Sequence, residues 1–131
     1  MRHPLSPRIH GYIDYAAVVV LALAPSLFGF SGLPATLCWG FAIALLGVSL
    51  LTAYPLGVAK VIPFPIHGGI EAVSAPLLAI APFLLGFSRD VAARNFFIVA
   101  GIALGIVYLV TNYRAAELPR TGVGVRRRTT V

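Results

Sequence analysis

The spacing of charges limits this chain more than any other feature. Between Asp14 and Arg89 only Lys60 and Glu71 are charged, which leaves apolar runs long enough to cross a bilayer. A helix needs about 20 apolar residues to span a hydrocarbon core of roughly 30 Å. Four such segments are expected, near 12–30, 35–54, 68–87 and 95–113. They are divided by Ser31-Gly32-Leu33-Pro34, by the proline-rich stretch from Tyr54 to Pro65, and by Ser88-Arg89-Asp90. Helix is expected over barrel strand because the runs do not alternate apolar and polar residues. Composition agrees: with 59% hydrophobic and 11% charged residues, against about 25% charged in an average soluble domain, too little polar side chain exists to cover a water-facing surface. The fold class expected is all-α, a polytopic membrane protein with four transmembrane helices.

The amino-terminal segment has the basic start and apolar run of a signal peptide. Two observations argue against cleavage: Asp14 interrupts the apolar run, and a similar segment recurs in mid-chain. The single cysteine, Cys38, excludes an internal disulfide. Four spans place both termini and the middle loop on one side, with Arg2, Arg8, Lys60, Arg114, Arg120, Arg126, Arg127 and Arg128; the other side holds only Arg89 and Arg94. The excess of basic residues on cytoplasmic loops then predicts both termini in the cytoplasm of a cell whose inner membrane the chain crosses.

An internal correspondence runs through the sequence. Ile9-His10-Gly11-Tyr12-Ile13-Asp14 is answered by Ile66-His67-Gly68-Gly69-Ile70-Glu71, and Ala24-Pro25-Ser26-Leu27-Phe28-Gly29-Phe30-Ser31 by Ala81-Pro82-Phe83-Leu84-Leu85-Gly86-Phe87-Ser88. Aligning 9–31 with 66–88 at this offset of 57 gives 12 identities in 23 positions. The second helices match at an offset of 59, Leu51-Thr52-Ala53-Tyr54 against Val110-Thr111-Asn112-Tyr113. The reading is two tandem helical hairpins: an amino-terminal segment 1–8, a first repeat 9–54, a Pro-rich connector 55–65, a second repeat 66–113 and a basic tail 114–131. Two spans per repeat insert both copies the same way up, related by an axis along the membrane normal, so matched residues share a depth.

The order of elements in each repeat resembles the SPW-repeat family of small bacterial integral membrane proteins. The likeness lies in an acidic residue near the helix start, a helix ending in a small residue, Pro and a further residue, then Gly-Phe-Ser and a second helix containing glycine. It covers about 9–54 and 66–113, and the family's tryptophan is replaced by Ser26 and Phe83. The resemblance implies a fold and a membrane location and no particular activity.

Two of the four acidic residues, Asp14 and Glu71, and two of the three histidines, His10 and His67, occupy matched positions, each acid four residues after its histidine. That spacing puts each pair on one helix face. If the two first helices face one another, the four side chains converge. Three readings stand side by side: acids that bond their own histidines or offset a helix dipole; an intramembrane proton or ion pathway or polar-substrate site; and a divalent metal held by all four residues, or a haem held by His10 and His67. Gly11, Gly68 and Gly69 beside the histidines allow a flat ring to approach, or simply helix packing.

Pro25 and Pro82 are expected to mark kinks or helix ends, with Pro76 bending the third helix further. Gly40, Ala44 and Gly47 on the second helix and Gly101 and Gly105 on the fourth allow close backbone approach, within the chain or between chains. The basic tail suits anionic lipid headgroups rather than nucleic acid. No Ser-His-Asp set, phosphate loop or dinucleotide fingerprint is present. The expected role is a binding or assembly component of the membrane, as a homo-oligomer or within a larger complex, rather than an enzyme. The rival is a metal- or haem-containing redox component, or a proton- or ion-coupled transport component.

Overall fold

A computed structural model describes residues 3–116. Four helices follow one another: α1 Pro7–Phe28, α2 Leu33–Leu51, α3 Phe64–Leu84 and α4 Val91–Val110, with a short 3-10 turn at Tyr113–Ala116. Each of the four is long and apolar enough to cross a membrane, so the chain is an all-α, multi-pass membrane protein. Leu27, Ile43, Val99 and Leu109 are among many large apolar side chains on the outside, as a surrounding hydrocarbon allows.

All four helices start earlier than the apolar pattern suggests, and the causes are local. Ser6 caps α1 by accepting the Ile9 N–H, and Pro7 occupies the first turn, where its missing donor costs nothing. Asp90 does the same for α4 by accepting the Ala93 N–H at 3.1 Å. Pro34 and Pro65 sit in the first turns of α2 and α3. The cap residues belong by composition to the turns, which is why the apolar runs place the helix starts too late.

Pro25 and Pro82 lie inside α1 and α3, and both are buried. The Pro25 carbonyl accepts the Gly29 and Phe30 N–H groups, and the Pro82 carbonyl accepts that of Phe87. Gly29 and Gly86 take left-handed conformations, φ 72° and 82°, the usual helix-terminating arrangement. The recurring Ala-Pro and Gly-Phe-Ser segments are thus helix-end signals whose phenylalanines, Phe30 and Phe87, join the core. That core also holds Leu21, Cys38, Leu78 and Phe97, drawing on both hairpins.

At the opposite end the hairpins are tied crosswise. Leu5, just before α1, pairs with Thr111, just after α4; Ile62, just before α3, pairs with Thr52, just after α2. Leu5 exchanges two backbone hydrogen bonds, from its N–H to the Val110 carbonyl and to its carbonyl from the Asn112 N–H, both 3.0 Å. Each hairpin therefore holds the chain entering the other, and the first two turns of α1 and α3 are fixed side by side.

The small residues divide. A Cβ on Gly101 would meet the Ala75 carbonyl oxygen at 2.6 Å and the Ala79 nitrogen at 2.7 Å, so α4 rests on the backbone of α3 there. At Gly105 the nearest atom is an ordinary contact 3.8 Å away, and at Gly40 and Gly47 there is open space. The glycines of α2 do not serve packing within the chain. Overpacking against backbone costs about 1–3 kcal/mol, so Gly101→Ala should lower the thermal unfolding temperature in mild detergent, while Gly40→Ala leaves it nearly unchanged. Equal behaviour of the two variants would contradict this packing.

Candidate metal centre

His10 and His67 are each the fourth residue of their helix, and Asp14 and Glu71 each the eighth. Neither acid lies in a first turn, so the expected interplay of acid and helix dipole is not what places them. The four side chains instead meet in the bundle. Both histidines are fully buried, and Asp14 and Glu71 are each 3% exposed.

The geometry is nearly twofold. His10 Nε2 lies 3.2 Å from Asp14 Oδ1 and 3.2 Å from Glu71 Oε1. His67 Nε2 lies 3.3 Å from Asp14 Oδ2 and 3.4 Å from Glu71 Oε1. The two Nε2 atoms are 3.4 Å apart. Asp14 thus turns one oxygen to each histidine, and Glu71 turns one oxygen to both.

The surrounding hydroxyls decide what these atoms are. Thr111 Oγ1 donates its only proton to the Val107 carbonyl at 2.6 Å, and Thr52 Oγ1 donates to the Val48 carbonyl at 2.6 Å. Each hydroxyl oxygen also lies 2.8 Å from a histidine Nδ1, Thr111 from His10 and Thr52 from His67. Having spent its proton, a hydroxyl can only accept, so both Nδ1 atoms carry hydrogen. In the neutral imidazoles both Nε2 atoms are therefore bare lone pairs aimed at the centre. This is the arrangement by which outer partners orient histidine ligands.

The carboxylates are held from outside in the same way. Asp14 Oδ2 accepts from the Tyr54 hydroxyl at 3.2 Å and from Ser49 at 3.3 Å. Glu71 Oε2 accepts from the Tyr113 hydroxyl. Glu71 Oε1 is left over: among the described residues it is the one buried side-chain polar atom without a hydrogen-bond partner. None of the ion pairs to these acids among the described residues involves a lysine or arginine.

The tyrosines reach the acids because the helices are thin beneath them. A Cβ on Gly11 would stand 2.9 Å from the Tyr54 ring, and one on Gly68 would stand 2.9 Å from the Tyr113 ring. Gly69 faces open space. Flat rings do use the matched glycines, and they are these phenols. The site has no slot for a haem between His10 and His67, because both carboxylates already touch the two Nε2 atoms.

Sequence pairing brought His10, Asp14, His67 and Glu71 to one place, and the structure brings them together. It did not assign Thr52, Thr111, Tyr54, Tyr113 or Ser49. The first four stand in the matched segments at offset 59, so the signal was present; Ser49 has Tyr108 as its counterpart and gave none. Pro25, Pro82, Gly101 and Gly105 lie away from the centre; the prolines belong to helix ends and Gly101 to the α3–α4 contact, while Gly105 makes no close approach. Of the basic residues in the tail segment, Arg114 is described, while Arg120, Arg126, Arg127 and Arg128 lie outside the described residues.

Chemically, with both imidazoles neutral the site is four acceptors with two negative charges and no donor between them; with Nε2 protonated, each imidazole instead donates to the carboxylates 3.2–3.4 Å away. One ligand atom from each of the four residues can be chosen so that all lie within 4.8 Å of one another. The two Nε2 atoms and Glu71 Oε1 lie 3.2–3.4 Å from one another, close to the edge of about 3.3–3.4 Å in a tetrahedron with metal–ligand bonds of about 2.0–2.1 Å, while Asp14 turns a different oxygen to each histidine.

No family model matches this chain, and neither a curated protein nor a solved structure is significantly similar to it.

Burial, followed by the negative charge of the neighbouring acid, pushes the Tyr54 and Tyr113 phenols well above the ordinary range of about 10. Both should remain hydrogen-bond donors in alkali. Ultraviolet titration to about pH 11 should show the same phenolate amplitude for the wild type and for Tyr54→Phe with Tyr113→Phe. A smaller amplitude in the double variant would mean that these rings are open to solvent.

Proposed function

We propose that this protein is a metal-binding component of the membrane, in which His10, Asp14, His67 and Glu71 hold one divalent transition metal between two helical hairpins. The observation that carries this reading is Glu71 Oε1, buried and without a donor while two histidine Nε2 atoms and Asp14 converge on the same point. Isolated buried carboxylates are strongly disfavoured. With both imidazoles neutral the cluster carries two negative charges, which one divalent cation cancels. Imidazole and carboxylate suit zinc, iron and manganese, and zinc is favoured because the triangle of the two Nε2 atoms and Glu71 Oε1 has the edge lengths of one face of a tetrahedral site.

Four protein ligands close a tetrahedral site, whereas catalytic zinc keeps a position open. The metal's role is accordingly to hold the hairpins in register, in keeping with binding or assembly rather than hydrolysis. A pathway across the membrane finds less support. Toward the other end of the bundle the buried side chains include Leu21, Ala24, Cys38, Leu78 and Ala81, and among the described residues no carboxylate, histidine, lysine or arginine is buried there to relay protons or cations.

The two hairpins are read as a tandem duplication with kinship to the SPW-repeat proteins, supported by the helix-ending segments around Pro25 and Pro82. The metal end is placed on the cytoplasmic side of a bacterial inner membrane, with both termini, by the distribution of basic residues. The basic tail is assigned to anionic lipids, and association with further copies or a larger complex is left to the open face of α2.

Metal analysis and thermal unfolding test the central assignment. The protein, stripped with chelator in mild detergent and given zinc, should take up one equivalent per chain. It should gain about 2.7 kcal/mol of stability at a hundredfold excess over the dissociation constant. Glu71→Gln and His67→Ala should weaken uptake at least tenfold, and Thr52→Val with Thr111→Val about 10–100-fold. Folded wild-type protein that takes up no stoichiometric zinc, iron or manganese would overturn the assignment.

A further inference from the structure

The bundle carries two side grooves, one between α1 and α4 and one between α2 and α3. They are equivalents of one another: Asp14, Leu21 and Leu104 line the first, and Glu71, Leu78 and Leu45 line the second at the offsets of 57 and 59. Their volumes differ, about 370 Å³ against about 130 Å³. The walls differ in bulk at one matched position, where Phe41 lines the second groove and its counterpart Ala100 lines the first. Only the larger volume falls within the range of about 300–1,000 Å³ typical of small-molecule sites.

The larger groove has a single polar feature. Asp14 is the one lining residue whose side chain bears a polar atom; every other is Ala, Val, Leu, Ile or Phe. Asp14 Oδ2 is occupied by Tyr54 and Ser49, whereas Oδ1 meets only His10 Nε2. A carboxylate has about four acceptor positions, so Oδ1 retains one. The groove wall includes Val20 and Val99, 50% and 65% exposed, both inside helices long and apolar enough to cross a membrane.

We propose that the α1–α4 groove binds a membrane-dissolved amphiphile of the long-chain alcohol class. Its apolar body lies along Leu21, Ala100 and Leu104, and its hydroxyl donates to Asp14. Asp14 is seven residues beyond Pro7, about 10 Å along the helix at 1.5 Å per residue. A phospholipid keeps its headgroup at the interface, but a lone hydroxyl can be drawn to that depth. The groove is built by helix packing and does not depend on the metal assignment.

The test uses the full chain in phosphatidylcholine nanodiscs with a hexadecanol probe carrying a mid-chain diazirine, photolysed and mapped by peptide mass. Labelling should fall on α1 and α4, be competed by unlabelled hexadecanol, and exceed that by the methyl ether of the same probe at least fivefold. Ala100→Phe should abolish it, and Phe41→Ala should open the mirrored groove and add label on α2 and α3. Neither substitution alters a proposed metal ligand, so metal content measured on the same samples reports on that centre separately. Labelling spread evenly over the four helices, or equal for alcohol and ether, would mean ordinary lipid cover and overturn the proposal. So would wild-type labelling in folded Ala100→Phe protein combined with no new label in Phe41→Ala.

Discussion

Everything at one end of this molecule follows from two carboxylates placed where water cannot reach them. Asp14 and Glu71 are almost wholly buried in a bundle whose other interior residues are largely apolar, and a low-dielectric interior makes an uncompensated charge very costly. The histidines that meet them cannot supply that compensation while neutral, because Thr52 and Thr111 fix the imidazole hydrogens on the far side of each ring. With both imidazoles neutral the four side chains form an acceptor cage, which under the proposed function a positive charge at the centre balances.

The cage also explains the crosswise ties. His10 of the first hairpin leans on Thr111 of the second, and His67 of the second leans on Thr52 of the first. The tyrosines work within their own hairpins, Tyr54 on Asp14 and Tyr113 on Glu71. Each of the four side chains is thus oriented by a residue just beyond the end of a second helix. The paired chain at Leu5–Thr111 and Thr52–Ile62 keeps those residues in place. Separating the hairpins would undo both the outer partners and the inner four at once, so the site and the fold at this end form one cooperative unit.

Much of this was legible in the sequence because matched positions share a depth. The charge-free runs gave four helices, and the offset of 57 singled out His10, Asp14, His67 and Glu71 from the few polar residues available. The apolar runs place the helix starts too late, since Ser6, Pro7 and Asp90 look like turn residues and their capping bonds extend the helices. Thr52, Thr111, Tyr54 and Tyr113 passed as helix ends. Helical spacing describes one face of one helix, and cannot foresee that the chain turns back past the last turn to lay a phenol on Gly11 or Gly68. The difference between the two side grooves was likewise invisible, because it needs Phe41 and Ala100 in equivalent places on a packed bundle.

The claim on which the account rests is that the four converging acceptors form a single tetrahedral cation site. X-ray absorption at the zinc edge of the reconstituted protein tests it directly. The account predicts a first shell of two imidazole nitrogens and two carboxylate oxygens at about 2.0–2.1 Å, with the outer-ring scattering of two histidines. A shell of six light atoms without histidine scattering, or one containing sulfur from Cys38, would contradict it.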